Sequence, residues 1–394
     1  LDAGAAEPEV RDFIAMQMTD DVPWSRVLNS ICTEPHPFGV QMAALAAHTN
    51  LGDPRIFAGT KRIERRVVDL LLTFLHEPSG SGSLVSGGTE ANLIAMVVAL
   101  HAAHAQGRAT NNAEVIVSST VHFSFTKIFM LLGITPVVVP VDRSLRMPVP
   151  QTARAITDRT IAVVATAGSS ELGIVDPIPQ LAAVAGAAGV RMHVDAATGG
   201  FIIPFARRLG RDLPAADFSV DDVDSITIDP HKYGLVPVPA GAILFRDPLD
   251  ATRFAVDSFF AATPTHHTLL GTRPGAAAVA TFAVLEHLGW SGFTELTRAN
   301  FEVTGYLVRR LRDAGYELLC EPDLNIVVVK VAAAVEVSAQ LERAGWIVST
   351  STRFVEGIRL VVTRHVTHKV VDELIPALNA ACAGVADART LVTQ

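Results

Sequence analysis

The chain has 394 residues, is 49% hydrophobic and 18% charged, and carries a formal net charge of −8. That composition buries a large core and excludes a disordered or fibrous chain, and the length allows two or three domains or one large domain with an appendage. There is no long block of one sign, hence no basic footprint for nucleic acid and no polybasic membrane patch; a phosphate-bearing partner would be small and locally bound.

Cys32, Cys320 and Cys382 are far apart, odd in number and without metal-type spacing, which argues against a disulfide framework or metal site. They point to a reducing compartment, and a cytoplasmic location follows as the default. No apolar run approaches the roughly 18 residues of a membrane span. The start Leu1-Asp2-Ala3-Gly4 has neither a basic nor an apolar signal region, and its lack of a methionine suggests a trimmed chain or an unstructured leader.

Residues 1–60 read as an N-terminal arm with little periodicity. Pro35 and Pro37 oppose a helix around His36 and Phe38, and residues 49–54 form a turn cluster. This is either a surface connector or a loop whose His36 and Phe38 line a pocket. From 61 to 76 the spacing of Ile63, Val67, Leu70, Leu71 and Phe74 predicts an amphipathic helix, stopped by Pro78 and Gly80-Ser81-Gly82.

A short strand then runs into Ser86-Gly87-Gly88-Thr89-Glu90-Ala91-Asn92 and a long helix to about residue 104. Free backbone N–H groups and the positive end of the helix dipole make such a turn a phosphate cradle. Gly87 and Gly88 permit close backbone approach, and Thr89 either donates its hydroxyl to a ligand or caps the helix. The pattern is neither a Walker A loop nor Gly-x-Gly-x-x-Gly, so nucleotide hydrolysis and nicotinamide chemistry lose ground.

Strands at 115–118, 135–139, 161–165 and 191–194 alternate with helices at 124–132, 152–156 and 178–187. The strands are continuous apolar runs, as expected when helices cover both faces, which predicts a mainly parallel α/β sheet with ligands at the strands' carboxyl ends. Two strand ends stand out. His122 follows the first of these strands and either stacks on a planar ligand or merely packs. Asp195 ends the strand beginning at 191, before Ala196 and Ala197, and either caps the turn or meets a buried cation such as a protonated pyridine. A further apolar strand, Ser225-Ile226-Thr227-Ile228, ends in Asp229-Pro230-His231-Lys232. A lysine there is expected to be desolvated, with its pKa lowered toward neutrality, as an amine needs to form a Schiff base.

Ser-Gly-Gly-Thr-Glu-Ala-Asn at 86–92, His122-Phe-Ser-Phe, Gly168-Ser-Ser-Glu-Leu-Gly, His193-Val-Asp-Ala-Ala, Asp229-Pro-His-Lys and Gly271-Thr-Arg-Pro-Gly together resemble the group II pyridoxal-5′-phosphate-dependent amino acid decarboxylases. The likeness is strongest to the archaeal-type L-tyrosine/L-aspartate decarboxylases and covers nearly the whole chain. It implies an α/β chain with the pyridoxal-phosphate-dependent transferase fold (fold type I): a large, mostly parallel sheet domain and a small C-terminal α+β domain. The expected limits are 1–60 for the arm, 61–290 for the cofactor domain and 291–394 for the small domain. The small domain should hold a helix at 293–314, strands at 325–329, 346–349 and 358–362, and a closing helix at 369–382, joined to the large domain by a helix at 272–288.

The resemblance further implies decarboxylation of an L-amino acid to an amine and carbon dioxide through a Schiff base on Lys232 and a quinonoid intermediate. Asp195 would partner the pyridine nitrogen, His122 would stack on the ring, and Ala197 would lie beneath it. Gly88, Thr89 and His231 would sit near the phosphate, and Ser170 would touch the cofactor. The family forms homodimers with shared sites, so Thr272 and Arg273 would reach the other subunit's phosphate, and Arg359 would bind the substrate's α-carboxylate.

One departure concerns proton return. Relatives carry a tyrosine where this chain has Phe259-Phe260, which leaves a same-fold lyase or an aldehyde-forming oxidative deaminase as the alternative outcome. His122, His266 or His267 could supply the proton instead. Phe38, Phe259 and Phe260 favour an aromatic substrate such as tyrosine, whereas His36, His266 and His267 suit a distal acid such as aspartate; the sequence leaves both open.

Overall fold

The strand-helix alternation closes into one seven-stranded sheet: β1 (Ser81–Val85), β2 (Glu114–Ser118), β3 (Thr135–Val139), β4 (Thr160–Thr166), β5 (Arg191–Asp195), β6 (Ser225–Ile228) and β7 (Gly241–Phe245). This is a computed structural model, and it describes residues 4–108, 110–259 and 265–392. The spatial order is β1-β7-β6-β5-β4-β2-β3. Strands β2 to β6 pair in parallel, while β7 runs antiparallel to both β6 and β1. Side chains alternate between the two faces, so Val115 and Val117 enter one apolar cluster and Ile116 the other. That two-sided burial is why the strands read as unbroken apolar runs.

The helices are α1 (Glu7–Met18), α2 (Pro37–Leu45), α3 (Ala58–Phe74), α4 (Gly88–Ala105), α5 (Ser124–Leu132), α6 (Val149–Ala155), α7 (Ile178–Ala187), α8 (Ile203–Arg208), α9 (Gly275–Asp313), α10 (Ala334–Arg343) and α11 (His368–Val392). A two-stranded hairpin, β8 (Val256–Asp257) with β9 (Thr265–His266), precedes α9. A second sheet of β10 (Ile326–Lys330), β11 (Ser349–Ser351) and β12 (Gly357–Val361), ordered β10-β12-β11 and antiparallel, has its own apolar core. Among the described residues no helix is long and apolar enough to cross a membrane.

Two local expectations are corrected and a third is refined. Pro37 does not forbid a helix but opens α2, because proline's missing N–H is harmless in the first turn. The two helices expected at 272–288 and 293–314 are both present; α9 comprises the pair, separated at Gly289, whose φ of 53° and ψ of −167° are non-helical and free of strain only for glycine. The arm is not a surface connector throughout: Leu28 is 0% exposed within the second core. Its backbone donates to Ile347 O at 2.8 Å and accepts from Val361 N at 2.8 Å, so the arm is stitched onto the second sheet. α1, by contrast, buries none of its residues in this chain.

Candidate active site

The carboxyl ends of β4, β5 and β6 and the amino end of α4 surround a cavity of about 360 Å³. Of the residues expected at the site, Gly88, Thr89, His122, Ser170, Asp195, Ala197, His231 and Lys232 all line it. They come from separate stretches because every parallel strand delivers its terminal loop to the same edge.

The amino end of α4 is built for close approach. A Cβ on Gly88 would lie 3.0 Å from Asp229 Oδ2 and 3.2 Å from the Ala197 methyl. No side chain caps this 18-residue helix, leaving its first N–H groups available to an anion. Glu90 draws the turn tight, accepting from Ser86 N at 2.8 Å and Ser86 Oγ at 2.6 Å. Two buried side-chain atoms of cavity residues, Thr166 Oγ1 and Asp229 Oδ1, have no hydrogen-bond partner among the described residues. Buried polar atoms are rarely left so.

Lys232 departs from expectation. Burial, the largest single influence, pulls its pKa down, but the charges of Asp229 and Asp195 and a hydrogen bond to Asp229 outweigh it, and the net shift is upward. Its Nζ lies 3.1 Å from Asp229 Oδ2. Desolvation was the right force but not the winning one, because a carboxylate three residues upstream holds the ammonium charged.

His231 Nδ1 accepts from Ala240 N at 3.0 Å, which leaves the neutral ring's proton on Nε2, 3.6 Å from Asp229 Oδ2. Burial keeps His231 below the usual imidazole range, and it does the same to His122 ahead of the opposing pull of Asp195. His122 Nδ1 lies 2.9 Å from Ser124 Oγ. Asp195 accepts from Asn92 Nδ2 at 3.1 Å on one oxygen and from Ala197 N at 3.1 Å on the other.

Other expected residues lie elsewhere. His36 caps α2 by accepting from Phe38 N at 3.2 Å, and both His36 and Phe38 pack on His287, at ring separations of 5.2 and 5.3 Å, rather than lining the cavity. Thr272 is exposed in this chain. Arg273 is buried and turned inward, donating to Glu64 Oε1 at 2.5 Å and to Leu84 O at 2.8 Å, so it is engaged within its own chain. Phe260 lies outside the described residues, and Phe259 is fully exposed. Arg359, on β12, is buried and donates to Asn29 O at 2.8 Å, while its Nε has no partner among the described residues. Burial pulls Arg359 below its ordinary range against the charges of Tyr233 and Glu171. Among the described residues no cluster suits a metal ion.

Sequence reasoning gave no role to Asn92 or Asp229. A signal for each was present: Asn92 stands four residues after Gly88, on the same helix face, and Asp229 stands three before Lys232 in a strand-end turn.

Residues 30–332 match a model of the pyridoxal-dependent decarboxylase conserved domain. A probable L-tyrosine/L-aspartate decarboxylase of Methanothrix thermoacetophila is 39% identical over 369 residues, covering 94% of each chain. The L-aspartate decarboxylase of Thermococcus kodakarensis is 38% identical over 377 residues, covering 94% of this chain and 96% of that one. Among solved structures, Lactobacillus brevis glutamate decarboxylase superposes with a TM-score of 0.88 at 23% identity, over 97% of this chain and 93% of that one.

Proposed function

Because this chain belongs to the pyridoxal-dependent decarboxylase family, we propose a division of labour among its cavity residues and L-aspartate as its first substrate, with L-tyrosine second. The protein is a pyridoxal-phosphate-dependent amino acid carboxy-lyase of fold type I. The observation that carries the division of labour is that Lys232 and Asp195, from the ends of neighbouring strands, share one cavity with the uncapped amino end of α4.

When bound, pyridoxal phosphate supplies an aldehyde with which amines condense and a protonated ring that accepts the electron pair left as the bond from Cα to the carboxylate breaks. Gly88, Thr89 and His231 would hold its phosphate, joined by Thr272 of a second copy in a homodimer. His122 and Ala197 would flank the ring, Ser170 would add a hydroxyl contact, and Asp195 would hold the proton on the ring nitrogen.

Lys232 would supply the protein's own amine. Its Nζ must first give up the proton it holds against Asp229 Oδ2, and Asp229 is the nearest group to receive it. Arg359 would take the substrate's α-carboxylate, a role supported by its buried, unpartnered Nε. Aspartate comes first because it is named in both relatives above, and a cytoplasmic location suits the three free cysteines. The lyase or aldehyde-forming alternative is not favoured, since relatives matching nearly the whole chain are named decarboxylases.

The test is a product balance. Purified protein with pyridoxal phosphate is offered L-aspartate, L-tyrosine and L-glutamate while carbon dioxide, amine, ammonia and aldehyde are followed. Carbon dioxide matched one to one by amine, fastest from aspartate, is expected. Ammonia or aldehyde in place of amine would overturn the assigned outcome, and preference for another amino acid would overturn the substrate.

A further inference from the structure

Four polar side chains on three elements meet beside Asp195 where a core would ordinarily be apolar: Asn92 on α4, His193 on β5, and Ser225 and Thr227 on β6. Their exposures are 1%, 1%, 5% and 0%. The sheet register puts Ser225 opposite His193 and Thr227 opposite Asp195. Burying such groups is costly unless each finds a partner, so their bonds can be fully accounted for.

The accounting has one solution. Asp195 as a carboxylate has only acceptor oxygens, so the Asn92 atom 3.1 Å from Oδ2 is the amide nitrogen and its oxygen points away. That oxygen accepts from Thr227 Oγ1 at 2.7 Å and faces His193 Nε2 at 2.9 Å, which must therefore carry a hydrogen. A neutral His193 then has a bare Nδ1, and it accepts from Ser225 Oγ at 2.8 Å. Burial, well ahead of the opposing pull of Asp195, pushes His193 down to about 4, so it is neutral at physiological pH. The donors run one way, from Ser225 to His193 to Asn92 to Asp195, and successive bonds of this kind polarise one another.

We propose that Asn92 is a positioning residue for Asp195, and that the one-way chain through Ser225 and His193 fixes the carboxylate as the acceptor for the proton on the cofactor's ring nitrogen. This rests on the reading of Asp195 as the partner of that nitrogen. Asn92 acts through Asp195 and takes no part in bond breaking. Reversing its amide would turn an oxygen onto the carboxylate and an N–H₂ toward His193, so the chain has a single direction.

The experiment loads the full-length protein with pyridoxal phosphate labelled with ¹⁵N in the ring and reads that nitrogen's resonance between pH 6 and 9, together with cofactor affinity by equilibrium dialysis. Circular dichroism of the apoprotein checks folding. The wild type is expected to keep the nitrogen protonated throughout. In Asn92→Leu the resonance should move toward the unprotonated position within this range, with cofactor binding about ten- to a hundred-fold weaker, as for loss of a hydrogen bond to a charged group. His193→Leu should move it the same way but less, and His193→Gln, whose amide can still donate to Asn92 Oδ1, should restore the wild-type resonance. Should Asn92→Leu fail to fold, the His193 pair decides. A protonated nitrogen and unchanged affinity in both leucine variants would overturn the proposal. Asp195→Ala separates the two readings: if it too leaves the nitrogen protonated, the assignment of Asp195 itself fails. If only Asp195→Ala abolishes protonation, the relay alone fails.

Discussion

Asp195 and Asp229 end neighbouring parallel strands and line the same cavity, yet they are held in opposite ways. Both oxygens of Asp195 accept hydrogen bonds, one from a side chain that is itself bonded to two others. Asp229 has one oxygen shared between Lys232 and the His231 ring and the other buried without a partner among the described residues. A carboxylate with each oxygen anchored by a hydrogen bond is held in place while keeping lone pairs to spare, and its environment need not rearrange when a charge arrives. A carboxylate with an orphan oxygen is suited to changing partners, as Asp229 would have to if Lys232 gives up its proton as proposed. One edge of the sheet therefore carries a fixed charge and a less constrained one about the same cavity.

Three changes break or sharpen this contrast. Lys232→Ala removes the group around which both carboxylates are disposed. Turnover should fall by about three orders of magnitude or more, and borohydride should no longer fix the cofactor to the protein; a retained covalent adduct would refute the assignment.

His193→Gln tests the fixed end through stability. His193 sits at about 4 when folded, against 6.5 unperturbed. Between those values the unfolded chain binds more protons, so its contribution falls as pH drops through the window, by on the order of 3 kcal/mol in total. Asp176, raised to about 6 by burial against its hydrogen bonds, has the opposite sign: the folded state binds more protons between 3.8 and 6 and gains stability on acidification. The difference in unfolding free energy between variant and wild type should thus shift toward the variant as pH falls from 6.5 to 4. A pH-independent difference in denaturant titrations would contradict a buried neutral imidazole.

Asp229→Asn, the smallest effect, tests the less constrained end. With Asp229 gone, burial acts on Lys232 with less opposition and its pKa falls. Each unit of that fall gives about tenfold more free amine near neutrality. The pH midpoint for cofactor uptake by the apoprotein, followed by visible absorbance, should move down; an unmoved midpoint would show that Asp229 does not hold the ammonium.

The sheet and the cavity were legible for the same reason. Continuous apolar strands ending in Asp195 and Lys232, and a glycine turn before a helix, are local patterns whose consequence is fixed once the strands are parallel. What was not legible depended on competing forces or distant partners. The direction of the Lys232 shift required weighing burial against a carboxylate whose approach only the folded turn reveals. The inward turn of Arg273 depends on Glu64, 209 residues away, which no local pattern announces. His36 looked like a pocket residue because its flanking prolines suggested a loop, whereas one of them starts a helix that the imidazole caps.

The stitching of the arm onto the second sheet has a consequence for how the protein is made. Asn29 O, the acceptor for Arg359, lies 330 residues before its donor, and Leu28 bonds to Val361. The ribosome releases the arm first and β12 almost last. The seven-stranded sheet, complete by residue 245, can assemble while synthesis continues, but the arm must wait for nearly the whole polypeptide before it finds its place. The Arg359 guanidinium, if it takes the substrate's carboxylate as proposed, is thus among the last parts to be seated.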